Sequence, residues 1–153
     1  MEITRRTDYA TRIMLELAQL PPGERASARR LGGLAEVSYP FARSIITDLA
    51  AADLVDARRG THGGVSLVRP ASEISLLDIV IAMEGDICLN ACVNEPGYCS
   101  RTGVCGAHGV WADASRQLAD HLASRDLESL VSNGPHESVV KGKKQSPSVQ
   151  KGW

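Results

Sequence analysis

Aromatic residues are scarce in this chain: two Trp, three Tyr and one Phe among 153 residues, 4% of the total. With hydrophobic residues at 43%, the core is expected to rest on Leu, Val, Ile and Ala. Apolar runs of membrane-spanning length are lacking, and the first ten residues contain no apolar signal region. These absences give the expectation of a cytoplasmic protein with no membrane partner. Strong charge is also missing; the net value is −1, so nothing global advertises nucleic acid. No phosphate loop, nucleophile elbow or paired carboxylates occur, so the chain is expected not to be an enzyme. Its length suits one compact domain, or one small domain with an appendage, and no internal repeat is found.

Cysteine is absent from all but one short stretch. Cys88, Cys92, Cys99 and Cys105 fall within eighteen residues, and His108 follows after two more. The segment is rich in turn formers and reads as a loop, too irregular for a helix or strand. In a reducing compartment, clustered thiols point to metal binding or redox activity rather than to disulfide staples. Three readings stand. Structural zinc favours two tight ligand pairs, and here the gaps are three, six and five residues with Cys88 and Cys92 the one tight pair. Thiol sensing favours a cysteine beside positive charge, and Arg101 is the one cation within the loop. An iron–sulfur cluster tolerates wider spacing, suits thiolates, and accepts an imidazole or carboxylate in place of one of them, which fits the C-x6-C-x5-C-x2-H run best.

The charge is unevenly spread. Residues 1–70 carry ten Lys/Arg against eight Asp/Glu, residues 71–137 carry three against ten, and the last sixteen are basic again. Such a division suits a DNA-facing module joined to a sensing or assembly module. The spacing of Tyr9, Ile13, Leu17 and Leu20 predicts a helix over 8–20, ended by Pro21-Pro22-Gly23. Ser27 caps a second short helix, 28–34, weakened by Gly32 and Gly33. Ser38 starts a third, running to about Ala51, with Pro40 in its first turn and Phe41, Ile45, Ile46 and Leu49 as its buried stripe. Short β-type runs at 54–58 and 65–68 then flank the glycine-rich tip Arg59-Gly60-Thr61-His62-Gly63-Gly64.

Three helices followed by a hairpin with a basic tip is the order of a winged helix-turn-helix. The expected fold is mainly α with one small β-hairpin. Double-stranded DNA would meet Ser38, Pro40, Arg43, Ser44 and Thr47 on the third helix, and Arg58, Arg59 and His62 on the wing. Further on, 74–83 reads as a connecting helix and about 104–124 as a long amphipathic one with a stripe at Trp111, Ala114, Leu118 and Leu122. A last short helix has Asp126 as its cap. Too few partners exist within one chain to bury that stripe, so a homodimer facing a palindromic operator is expected. The divisions are a DNA-binding domain at 1–70, a connecting helix, cysteine loop and dimerisation helix at 71–131, and a disordered basic tail at 132–153 ending in Trp153.

Several of these residues form a combination known elsewhere. Thr7-Asp8-Tyr9-Ala10 opens the first helix, Val37-Ser38 leads into Phe41-Ala42-Arg43, and Leu54-Val55 precedes the Arg59-Gly60-Thr61-His62-Gly63-Gly64 wing. Ile74-Ser75-Leu76-Leu77-Asp78-Ile79-Val80 and three spaced cysteines before His108-Gly109-Val110-Trp111 follow. Over residues 1–131 the chain resembles the Rrf-type family of winged-helix regulators typified by IscR, NsrR and RirA. The resemblance implies a transcriptional regulator, usually a repressor, whose DNA affinity is switched by a two- or four-iron cluster that senses iron or cluster supply, nitric oxide or redox state. It implies ligation by Cys92, Cys99 and Cys105. The fourth ligand stays open. His108 matches the IscR-like position, and Asp8 matches the carboxylate that NsrR-like members supply from the partner's first helix. Cys88 lies outside the usual triplet, either as a spare ligand or as a small buried residue ending the preceding helix. Otherwise Asp8 reads as the N-cap of the first helix, and His108 as a helix-start histidine near solvent. A zinc-stabilised DNA-binding protein without a switch, or a redox protein carrying a cluster, are the alternatives.

Overall fold

A computed structural model describes residues 3–60 and 62–133. Helix α1 spans Arg5–Ala18 and starts earlier than its apolar spacing suggests, because Thr4 is the N-cap and its side chain accepts from the Thr7 amide. Asp8 therefore lies inside the helix rather than capping it. Ser27 caps α2 (Ala28–Leu34) by accepting from the Arg30 amide at 3.1 Å. Gly32, which looks like a weak point in the sequence, is where α2 approaches the next helix most closely: a Cβ there would sit 2.8 Å from the Val37 carbonyl and 3.2 Å from Ala42 Cβ.

Helix α3 (Tyr39–Ala51) turns Ala42, Ile45, Ile46 and Leu49 inward. Phe41 is not in the core; it is 45% exposed. Ile45, Ile46 and Leu49 face inward as expected, and only the first position differs: the small Ala42 faces Gly32, a gap that a phenylalanine could not fit. Phe41 instead meets Tyr9 edge-on, ring centres 6.0 Å apart.

Strands β1 (Val55–Arg58) and β2 (Gly64–Leu67) pair antiparallel with Val55 opposite Leu67 and Arg58 opposite Gly64. The tip requires glycine, since a Cβ on Gly63 would fall 2.3 Å from the Arg58 carbonyl. Val65 also exchanges two backbone bonds with Ala26, 3.0 and 2.8 Å, which ties the wing to the segment before α2.

Helix α4 (Leu76–Glu84) opens on a reciprocal capping box between Ser75 and Asp78 and stops at Gly85, φ +82°. The cysteine loop is less irregular than its composition suggests: it holds a single-turn helix α5 (Ala91–Asn94) and a 3-10 turn at Thr102–Val104. Asn90 makes that short helix possible by accepting from the Cys92 amide. Helix α6 (Gly106–Ala123) follows, then α7 (Leu127–Asn133). Helix α7 extends two residues into the stretch assigned to the tail; residues 134–153, Trp153 among them, lie outside the described residues.

One core runs through both halves of the chain, joining Ile13, Leu31, Ile45 and Leu49 to Ile74, Ile79 and Leu127. The chain closes on itself where the Leu127 amide reaches the Ile74 carbonyl at 2.9 Å and the Leu76 amide reaches Arg125 at 2.8 Å. Helix α6 is the exception. Ser115 is its one buried residue, and Trp111 is 41% exposed. Among the described residues no helix is long and apolar enough to cross a membrane.

Candidate DNA interface and cysteine loop

The outer face of α3 and the wing enclose a concavity of about 550 Å³ bounded by Ser27, Tyr39, Arg43, Thr47, Arg58 and Arg59. Ser38, Pro40, Arg43, Ser44 and Thr47 are all exposed, as are Arg58, Arg59 and His62. Their commitments differ. Arg43 enters none of the ion pairs among the described residues, which leaves its guanidinium free for a ligand. Arg58 is 2.8 Å from Asp56. Ser44 accepts a bond from Arg6 Nη2 at 3.0 Å, so it is already engaged within the protein.

Two arginines of this face were not singled out from the sequence. Arg29 lies over the Tyr39 ring at 4.6 Å and adds positive charge to the rim. Arg25 is structural: it reaches Asp56 at 3.1 Å, Ser66 at 3.0 Å and the Asp56 and Gly64 carbonyls at 2.7 and 3.0 Å, so it locks both strands at the wing's base. Only the fold shows this, because the partners lie 31 to 41 residues away.

In the cysteine loop, Cys92 Sγ lies 3.4 Å from His108 Nδ1. The start of α6 thereby brings back a donor from sixteen residues along the chain. All four thiols are free; Cys105 is exposed and the other three are half-buried. Cys88 does not end the preceding helix but lies beyond Gly85, and its thiol donates to the Asn90 carbonyl at 2.8 Å. Next to it, the Leu89 amide donates to buried Ser115 at 3.1 Å, which fastens the loop's first residues to α6. Among the described residues no three His, Cys, Asp or Glu side chains converge as a metal site within one chain. Asp8 stands apart from the thiols, exposed on α1 and paired with Arg12 at 2.7 Å. It lines an apolar cavity of about 350 Å³ with Leu89, Leu118 and Leu122.

Glu84, the last residue of α4, holds the loop's root against α1. It accepts from the Thr4 amide at 2.9 Å and from the Thr7 hydroxyl. The Thr7 bond, then the Thr4 amide, hold its carboxyl below the ordinary glutamate range. A carboxylate lowered in the folded state stabilises the fold above its unfolded pKa, and that contribution is lost as pH falls through the folded value. Acidification should therefore loosen the α1–α4 junction in the wild type more than in Glu84→Gln, measured by amide exchange at Thr4 and Thr7.

A helix-turn-helix, an exposed outer face of α3 that carries Arg43, and a pinned two-stranded wing with Arg58 and Arg59 define the protein as a winged-helix transcriptional regulator. The Rrf2 family, described as an iron-dependent transcriptional regulator, matches residues 3–133, and the chain belongs to that family. Among its relatives is the transcriptional regulator NsrR of Halalkalibacterium halodurans, 28% identical over 87% of this chain and 92% of its own length. Its fold is shared by CymR, the global cysteine regulator of B. subtilis: TM-score 0.69, 23% identity, covering 86% of this chain and 97% of that one. IscR of T. potens gives a TM-score of 0.68 at 22% identity, covering 93% and 94%.

Proposed function

We propose that this regulator is a cytoplasmic, DNA-binding repressor that acts as a homodimer, and that an iron–sulfur cluster on Cys92, Cys99, Cys105 and His108 switches its affinity. The observation that carries the reading is the 3.4 Å approach of His108 Nδ1 to Cys92 Sγ, with two further free thiols on the same loop. Three soft thiolates and an imidazole fit iron–sulfur chemistry; the loop, fastened at its start but short of convergence, can close further on a cluster. When bound, the cluster supplies a centre whose loss or oxidation releases these donors.

The rest belongs to the chain. The loop's root is held to α1 through Glu84 and its early part to α6 through Ser115, so its conformation bears on both helices. The exposed Val110 and Trp111 of α6, next to a stripe that is only half-buried within the chain, support pairing with a second copy, which would set the distance between two α3 helices on a palindromic site. Asp8 is the second candidate for the fourth ligand on the resemblance to NsrR-like members; standing apart from the thiols of its own chain, it would have to come from the other subunit. The likeness to CymR shows the fold alone and leaves the switch to be tested.

Anaerobic purification tests the reading. Brown protein carrying iron and sulfide supports it; a colourless protein carrying stoichiometric zinc refutes it. Asp8→Ala and His108→Ala then separate the fourth ligands, because only loss of the true one alters the visible spectrum. On the output side, Arg43→Ala should weaken binding to the preferred DNA site by about 1–3 kcal/mol and relax specificity at one position. A binding titration across single-base variants of the site checks this, and uniform weakening would make Arg43 a phosphate contact.

A further inference from the structure

Three positions on one edge of α3 are held by a single side chain from α1. Arg6 Nη2 donates to Ser44 Oγ at 3.0 Å, and Arg6 Nε donates to Asp48 Oδ2 at 3.2 Å, with Nη2 bonding the same oxygen. The guanidinium also lies 5.9 Å from the centre of the Phe41 ring, which in turn meets Tyr9 of α1. Positions 41, 44 and 48 recur at spacings of three and four, so they form one stripe along the helix. That stripe lies beside the outward face carrying Arg43 and Thr47. Asp48 is the one acidic residue of α3, and its side chain is 45% exposed.

A carboxylate next to a phosphate backbone repels it, and the repulsion is strong at the short distances of a docked helix. Arg6 neutralises this charge and, through the same guanidinium, fixes the roll of α3 about its axis. We infer that Arg6 is a positioning residue for DNA recognition, shielding Asp48 and setting the face that α3 presents. This rests on the reading of α3 as the DNA-reading helix and is independent of the cluster. Ser44 then serves the clamp instead of reading bases. Two donors on Nη1 are not spent in these bonds, so a direct phosphate contact by Arg6 is the competing role that the experiment must separate.

The full-length protein, its variants Arg6→Gln, Arg6→Lys and Asp48→Asn, and the Arg6→Gln/Asp48→Asn double variant are titrated against two duplexes. One is a site selected in vitro from random sequence by the wild type; the other is a random duplex. Each titration is run from 50 to 200 mM salt. Arg6→Gln should weaken the selected site about fivefold, and the random duplex less, with the slope of log K against log salt unchanged. Adding Asp48→Asn should recover most of that loss, and Arg6→Lys should retain most of the affinity. If the slope instead falls by about 0.9 and Asp48→Asn recovers nothing, Arg6 is a phosphate contact and the inference is overturned. Unchanged affinity in Arg6→Gln overturns it too. Should Arg6→Gln fail to fold, Asp48→Asn alone decides: raised random binding and lower discrimination support shielding, and no change refutes it. A silent Arg43→Ala would mean that the α3 reading had failed, whereas a damaging Arg43→Ala beside a silent Arg6→Gln would remove only this inference.

Discussion

Alanine at Cys92, Cys99 or Cys105 is expected to abolish retention of iron and sulfide on anaerobic purification, whereas Cys88→Ala keeps both. A cluster is bound by all its ligands together, so deletion of one thiolate removes far more than the ten- to hundredfold in affinity that outer partners contribute. Cys92 is the most telling of the three because it already lies against His108 at 3.4 Å. Cys88 differs in that its thiol donates to the Asn90 carbonyl two residues away and so belongs to the loop's own hydrogen bonding. None of the four contributes to the core that joins α1, α3 and α4. The cluster-free variants should therefore unfold within about 0.5 kcal/mol of the cluster-free wild type. Iron and sulfide assays with a thermal melt check both halves of the expectation, and a Cys88 variant that lost the cluster would reassign the ligand set.

Gly32→Val is expected to destabilise the DNA-binding half and weaken DNA binding together. A Cβ at this position would already meet the Val37 carbonyl at 2.8 Å and Ala42 Cβ at 3.2 Å, and both are fixed parts of the helix-turn-helix. Valine adds two more methyl groups where none fits, so α2 must move away from α3. The cost is roughly 1–3 kcal/mol of stability, with a further loss of DNA affinity because the angle between the two helices changes. Gly33→Ala is the matched control. Nothing lies within 4 Å of its Cβ, and alanine favours the helix by about 0.8–1.0 kcal/mol. Urea unfolding of the two variants should therefore shift in opposite directions. A neutral Gly32→Val would show that α2 and α3 are not in contact as described.

Much of the fold was legible because its signals are local. Ser27 and Ser38 mark the starts of α2 and α3, Gly85 marks the end of α4, and the glycines of the wing tip mark the hairpin. The errors have a common origin in phase and context. An apolar residue at spacing four from Ile45 points to Phe41 as a core residue, but the inward position at this end of α3 goes to Ala42, whose small side chain fits against Gly32. Thr4 rather than Asp8 caps α1 because the helix begins on Arg5 and Arg6, polar residues that an apolar pattern does not reveal.

At the cysteine loop, the donors were readable from residue type and spacing, while their arrangement was not. The His108–Cys92 contact depends on where α6 begins, and the anchors Glu84 and Ser115 act on partners 77 and 26 residues away. The same holds for Arg6 and Arg25. An arginine in a sequence shows charge, and only the fold shows that its charge is already spent on Asp48 or Asp56.

The most direct test of the central claim compares one preparation of protein before and after its cluster is removed under anaerobic conditions. Its affinity is measured for the DNA duplex selected by the cluster-loaded form, at one fixed salt concentration. The account predicts at least a tenfold difference in Kd between the two forms, about 1.4 kcal/mol, and loss of that difference in the Cys105→Ala variant. Equal affinity of the two forms of the wild type, with the cluster shown to be present in one and absent from the other, would contradict it.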